Sequence, residues 1–269
     1  MKIIVDFDNA FNVKNRDVDD FIALLYLIRK NAHIDLVTTT YGNASIEEVN
    51  RASKKVFEDL KLTFPLALGS EDAGEKIAQT VNDNEGEVTI LTLGSTTNIA
   101  RALSLDPSIG TKARLVSMGT ITEPLYIDGI KMNELNYSVN HEASSRVLDG
   151  FEDITILTAN NCLDGYLDLD EIEDIFSGED YLMSEARDWF DFHSADYEIN
   201  YIVIWDLLAA TYVTNPELFE DKKRSMVFKY PEKGLLAENT SGKIINMPEV
   251  KNRKALAQHY KKVFYNKQS

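Results

Sequence analysis

A chain of 269 residues, 44% of them hydrophobic, can bury a substantial core and has the length of one α/β domain spanning residues 1–269. Its 44 acidic residues against 28 basic ones leave a formal charge of -16 at pH 7, which repels nucleic acid and anionic membrane and argues against either as a partner. Lone Cys162 excludes an internal disulfide and is expected to be a buried structural thiol; with no signal-peptide pattern at Met1–Lys2 and no apolar run of membrane length, a soluble cytoplasmic protein is expected.

Short β-branched runs alternate with amphipathic stretches from the N-terminus onward. Lys2–Val5 reads as a strand followed by a helix over Phe21–Arg29, then a strand at Ile34–Thr40 and a helix at Ile46–Leu60. Val88–Leu93 and Thr97–Leu105 repeat the pair, with further strands at Ala113–Met118 and Ile154–Thr158 and a helix over Ala143–Leu148. Acidic helices follow at Leu169–Phe176 and Tyr181–Phe192, then a helix over Tyr201–Thr214 that stops at Asn215-Pro216. The tail reads as a hairpin within Val227–Ile245 and a closing helix over Val250–Tyr265. This alternation predicts an open, mostly parallel, Rossmann-like sheet with helices on both faces, whose binding crevice lies at the carboxyl ends of the strands. The first-strand aspartates, Gly42-Asn43 and Gly94–Asn98 all fall at such ends, so three distant segments converge on one site.

Five aspartates, Asp6, Asp8, Asp17, Asp19 and Asp20, crowd the end of the first strand and the start of the first helix. Clustered carboxylates raise one another's pKa, so an ionised cluster requires a compensating cation. Oxygen donors without a nearby His or Cys favour Ca²⁺ or Mg²⁺ over zinc. Asp19 and Asp20 also sit favourably against the helix N-terminal dipole. For Asp17 alone, a capping or solvated loop charge is an equal reading.

Asp6-Phe7-Asp8, followed by Asp19-Asp20 and an apolar helix, resembles the opening Asp-x-Asp-Pro-Gly-x-Asp-Asp of nucleoside hydrolases. Further matches follow in order: Thr38–Asn43 with its Gly42-Asn43, Leu93-Gly94-Ser95-Thr96-Thr97-Asn98-Ile99-Ala100, Asp106-Pro107, Val116–Gly119, Asn133-Glu134-Leu135-Asn136, Trp205-Asp206 and Asn215–Phe219. The resemblance covers residues 1–220 and implies the nucleoside hydrolase fold and a Ca²⁺-dependent cleavage of ribonucleosides to ribose and free base. It further implies Asp8, Asp20, Asp206 and the Leu93 carbonyl as calcium ligands, with Asp8 doubling as general base. Asp19, Asn43, Glu134 and Asn136 would hydrogen-bond the ribose, and Asp6 would support the site from behind. A homo-oligomer, dimer or tetramer, is implied as well.

Three departures from the family pattern bear on function. Asn9–Val18 stands where the pattern has Pro-Gly-x, an insertion inside the metal loop. Trp205 replaces the His thought to protonate the leaving base, resembles the purine-specific branch and is expected to stack on a purine, with Trp189, Tyr197 or Tyr201 as candidate partners. Asp128 lies where a sugar-binding Asn is expected, a role that Asn133 takes if the loop shifts. Among the histidines, His193 alone falls in a candidate flap; His33, His141 and His259 carry no role. Two other readings remain open: a haloacid dehalogenase-type Mg²⁺ phosphatase with Asp6 as nucleophile and Asp8 as acid, and a non-catalytic ribose- or nucleoside-binding protein.

Overall fold

The computed structural model describes residues 1–70, 72–197 and 199–265, without the side chains of residues 185, 186, 188, 193, 194, 196 and 197. Its main sheet, among the described residues, has nine strands in the spatial order Leu235–Glu238, Lys223–Tyr230, Lys243–Asn246, Ile154–Leu157, Arg114–Met118, Val88–Thr92, Lys2–Phe7, Ile34–Thr39 and Leu66–Ala67. From Ile154–Leu157 to Leu66–Ala67 every pairing is parallel. Lys2–Phe7 has Ile34–Thr39 on one side and Val88–Thr92 on the other, so the chain reverses its direction of travel across the sheet there. Such a switch point opens a crevice at the carboxyl ends of the strands.

Strand alternation builds two cores. Val5, Phe7, Val37, Leu91 and Val116 face one side, against helices Asp19–Arg29, Trp205–Thr214 and Arg253–Tyr265. Ile4, Leu36, Ile90, Leu115 and Ile156 face the other, against Ala73–Asp83, Thr97–Leu105 and His141–Gly150. Both faces are covered, which is why the central strands read as nearly continuous apolar runs.

The structure departs from the sequence reading in several places. Leu66–Ala67 and helix Ala73–Asp83 form an extra unit between the second helix and Val88. The strand has two residues, and the helix buries a small-residue face of Ala73, Gly74 and Ala78 beside Ile77 and Val81, so neither carries a strong apolar pattern. Gly74 allows the close approach: a Cβ there would lie 2.8 Å from Arg101 Cγ.

The helix expected over Tyr201–Thr214 begins only at Trp205. Tyr201–Ile202 instead pairs antiparallel with Leu167–Asp168, as suits a β-branched run. The expected tail hairpin forms between Lys223–Tyr230 and Leu235–Glu238, and a third strand, Lys243–Asn246, crosses to the other edge of Lys223–Tyr230 and joins the main sheet parallel to Ile154–Leu157, making the sheet mixed. Cys162 is buried.

Candidate active site

Strand register sets the floor of the site. Asp6 pairs with Thr38 on one neighbour and Thr92 on the other. Thr38 Oγ1 donates to Asp6 Oδ1 at 2.5 Å, Asn98 Nδ2 donates to the same oxygen at 2.8 Å, and Thr92 Oγ1 approaches Oδ2 at 3.5 Å. Burial pushes the Asp6 carboxyl up to about 7 against these lowering hydrogen bonds. Asp6 is fully enclosed beneath the site and does not line the cavity above it, which removes it as a phosphatase nucleophile. Its main-chain carbonyl accepts the Leu93 N–H (2.8 Å), tying the two strand ends together.

Asp8 lies one residue past the strand and faces the cavity. Its Oδ2 accepts the Asn43 N–H at 2.5 Å, and its own N–H donates to Asp20 Oδ1 at 3.1 Å. Gly42 and Gly94 flank it closely; a Cβ on Gly94 would lie 2.8 Å from Asp8 Cγ, so the Gly-Asn and Leu-Gly motifs make room for this carboxylate. Burial raises its pKa to about 6.

Helix Asp19–Arg29 presents Asp19 and Asp20 in its first turn, and helix Trp205–Thr214 presents Asp206 in its own. The Asp206 N–H donates to Asp19 Oδ2 at 3.1 Å, joining the two helix starts. Carboxylate oxygens of Asp19, Asp20 and Asp206 lie within 4.8 Å of one another, all three buried. Their pKa values stand well above the ordinary carboxylate range, by burial first and then by neighbouring aspartates. An all-oxygen, buried, mutually repelling set fits a hard divalent cation. The tight grouping contains Asp19, which the resemblance gave to the sugar, whereas Asp8 stands beside it at the strand end.

The remaining sugar-site expectations fall around the same cavity of about 360 Å³. Asn136 Nδ2 donates to the Leu93 carbonyl (2.7 Å) and the Met118 carbonyl (3.2 Å). Glu134 accepts main-chain N–H groups from Thr120 (3.1 Å), Tyr137 (2.8 Å) and Ser138 (2.9 Å), while burial raises its pKa to about 7. The Asn43 side chain bonds the main chain of Asp17. Asn133 lines the cavity; Asp128 is exposed, at a turn with φ of 44° between Tyr126–Ile127 and Ile130–Lys131.

The same cavity is also lined by three aromatic residues, Trp205, Trp189 and Phe192. Phe192 was not singled out by sequence; its place three residues after Trp189 on the same helix is the signal that finds it. Tyr201 belongs elsewhere, with its ring 5.0 Å from that of Tyr166. The side chains of His193 and Tyr197 lie outside the described residues. Asn15, Arg16 and Asp17 of the insertion also line the cavity, so the insertion is part of the site.

The profile of the inosine-uridine preferring nucleoside hydrolases matches residues 3–263. A probable uridine nucleosidase 2 of Oryza sativa subsp. japonica is 25% identical over 178 residues, 64% of this chain and 51% of that protein, so the match spans about half the length of this curated relative. In fold, the chain is similar to a plant nucleoside hydrolase (TM-score 0.85, 18% identity, 98% of this chain and 99% of that one). It is also similar to a purine-preferring ribonucleoside hydrolase from Gardnerella vaginalis (0.81, 16%, 98% of both) and an inosine-uridine preferring nucleoside hydrolase from Bacillus anthracis (0.76, 19%, 97% and 98%). With the carboxylate cavity at the switch point of the sheet and a family match over nearly its whole length, the chain belongs to the inosine-uridine preferring nucleoside hydrolase family.

Proposed function

We propose that this protein hydrolyses the N-glycosidic bond of ribonucleosides, with Ca²⁺ as its metal and a preference for purines. The observation that carries the reading is one cavity lined both by the carboxylates Asp8, Asp19, Asp20 and Asp206 and by the aromatic rings of Trp205, Trp189 and Phe192. A lining that offers both acids and flat rings matches a ribonucleoside, which joins a hydroxylated sugar to a flat base.

Asp8, Asp20, Asp206 and the Leu93 carbonyl would hold the cation, with Asp19 close enough to join them. Bound there, Ca²⁺ supplies positive charge that orients the sugar hydroxyls and the nucleophilic water. Asp8 accepts the proton from that water, with its carboxylate aimed by the Asn43 N–H. The water oxygen bonds to the anomeric carbon as the C–N bond breaks, and the bonding pair leaves with the base. Positive charge grows on the sugar during this step, and the aspartate wall stabilises it electrostatically. Asp19, Glu134 and Asn136 serve the ribose hydroxyls.

Trp205 cannot donate the proton that the departing base takes up, because an indole N–H does not ionise in the useful range. Stacking on the aromatic wall holds the base while solvent supplies that proton. A wall built from large rings favours the larger purine, in line with the purine preference read from Trp205.

Release of reducing sugar from inosine, guanosine, adenosine, uridine and cytidine, with Ca²⁺ and after chelation, tests the reading. The expected result is metal-dependent ribose release biased to purines. No release from any of the five by folded, metal-loaded protein moves the assignment to a binding role.

A further inference from the structure

The Asn9–Val18 insertion forms a wall anchored at both ends. Asn9 is buried, with Nδ2 donating to Ser53 Oγ (3.3 Å) and Oδ1 accepting the Phe11 N–H (3.1 Å). Phe11 stacks on Phe21, ring centroids 4.1 Å apart, and reaches Tyr181 at 5.4 Å. At the other end Asn43 clasps the Asp17 main chain from both sides. The Asp17 N–H donates to Asn43 Oδ1 (3.4 Å), and Asn43 Nδ2 donates to the Asp17 carbonyl (3.1 Å).

The clasp engages both polar ends of the side chain that the resemblance assigned to a ribose hydroxyl. What it delivers to the cavity is another carboxylate, that of Asp17. Asp17 Oδ1 accepts the Asp19 N–H at 3.3 Å, so the two acids stand side by side. Asp17 lines the cavity without belonging to the three whose oxygens gather within 4.8 Å.

We propose that Asp17 is a specificity-determining residue of the sugar site, accepting a hydrogen bond from a ribose hydroxyl beside Asp19, and that Asn43 is the positioning residue that holds it there. The proposal rests on the ribonucleoside reading and extends it to a residue that the insertion supplies. Ionised carboxylates offer only acceptors and repel one another. A vicinal diol offers two O–H donors on adjacent carbons, one for each acid. A 2′- or 3′-deoxy sugar leaves one acid facing its neighbour without a donor, and a site built to bond that hydroxyl discriminates against the analogue lacking it.

The test compares wild type, Asp17→Ala, Asp17→Asn and Asn43→Ala on a purine ribonucleoside and its 2′-deoxy and 3′-deoxy analogues, with the Ca²⁺-induced rise in melting temperature as an independent readout. Asp17→Ala is expected to lose about 10- to 100-fold in kcat/KM on the ribonucleoside, and less than about threefold on the analogue lacking the hydroxyl that faces Asp17. Asn43→Ala is expected to reproduce the loss of discrimination with Asp17 still present, and the Ca²⁺ shift is expected to persist in all variants. Equal losses on all three substrates, or a lost Ca²⁺ shift in both Asp17 variants, overturn the assignment while leaving the hydrolase reading in place. Wild type that cleaves none of the three overturns both. The isosteric Asp17→Asn keeps the test valid if the alanine variant folds poorly.

Discussion

Asp8 combines a strand-end position, a place on the cavity and an aligned main-chain donor that leaves it an acceptor, the geometry a general base requires. Asp8→Asn is expected to lower kcat by about 10²- to 10⁴-fold, as for loss of a positioned general base. The variant removes one charge from a crowded buried cluster, so its metal-free melting temperature is expected to hold or rise. Steady-state rates and thermal melts check both halves, and a fully active Asp8→Asn enzyme sinks the base assignment. Asp206→Ala acts differently: with one carboxylate of the tight trio removed, the Ca²⁺-induced rise in melting temperature is expected to disappear.

Two elements frame the site from outside the sheet. The insertion depends on Phe11, which is fully buried between Phe21 and Tyr181. Phe11→Ala is expected to destabilise the protein by about 3–5 kcal/mol, measured by denaturant unfolding, because it leaves a cavity under the metal loop. The helix Asp180–Tyr197 brings Trp189 and Phe192 to the cavity, and Arg29 fixes its start by donating two 2.7 Å hydrogen bonds to Glu179. Trp205→Ala is expected to narrow the inosine-to-uridine ratio of kcat/KM by up to about tenfold, the scale of one lost stacking contact. An unchanged ratio would assign Trp205 to packing alone.

Charge governs the molecule as a whole. Asp6, Asp8 and Glu134 keep folded pKa values of about 7, 6 and 7, above their ordinary 3.8, 3.8 and 4.5. In the metal-free protein the folded state therefore retains protons that the unfolded chain has released. The stability these groups contribute is fully present below about pH 4 and is lost as pH rises toward 7. A bound cation favours the ionised acids, so the melting-temperature difference between Ca²⁺-loaded and chelated protein is expected to widen from pH 5 to pH 8. A constant difference across that range would argue against the aspartates as the metal site. No helix among the described residues is long and apolar enough to cross a membrane.

The parallel strands and their helices were legible because burial on both faces writes continuous apolar runs, and Asp6–Asp8, Gly42-Asn43 and Leu93–Asn98 were legible because each ends such a run. The two-residue strand Leu66–Ala67, the small-faced helix Ala73–Asp83 and the late start of the helix at Trp205 were not, since pairing and close packing there override local pattern. Fold class, the convergence of three segments at the carboxyl ends of the strands and the family resemblance follow from local pattern alone. The packed chain was needed to show that Asp6 is sealed beneath the floor, that Phe192 joins the cavity lining, and that Asn43 grips Asp17 across the insertion. Motif spacing records which residues leave a strand end, whereas the partners of a side chain depend on which distant segment arrives opposite it.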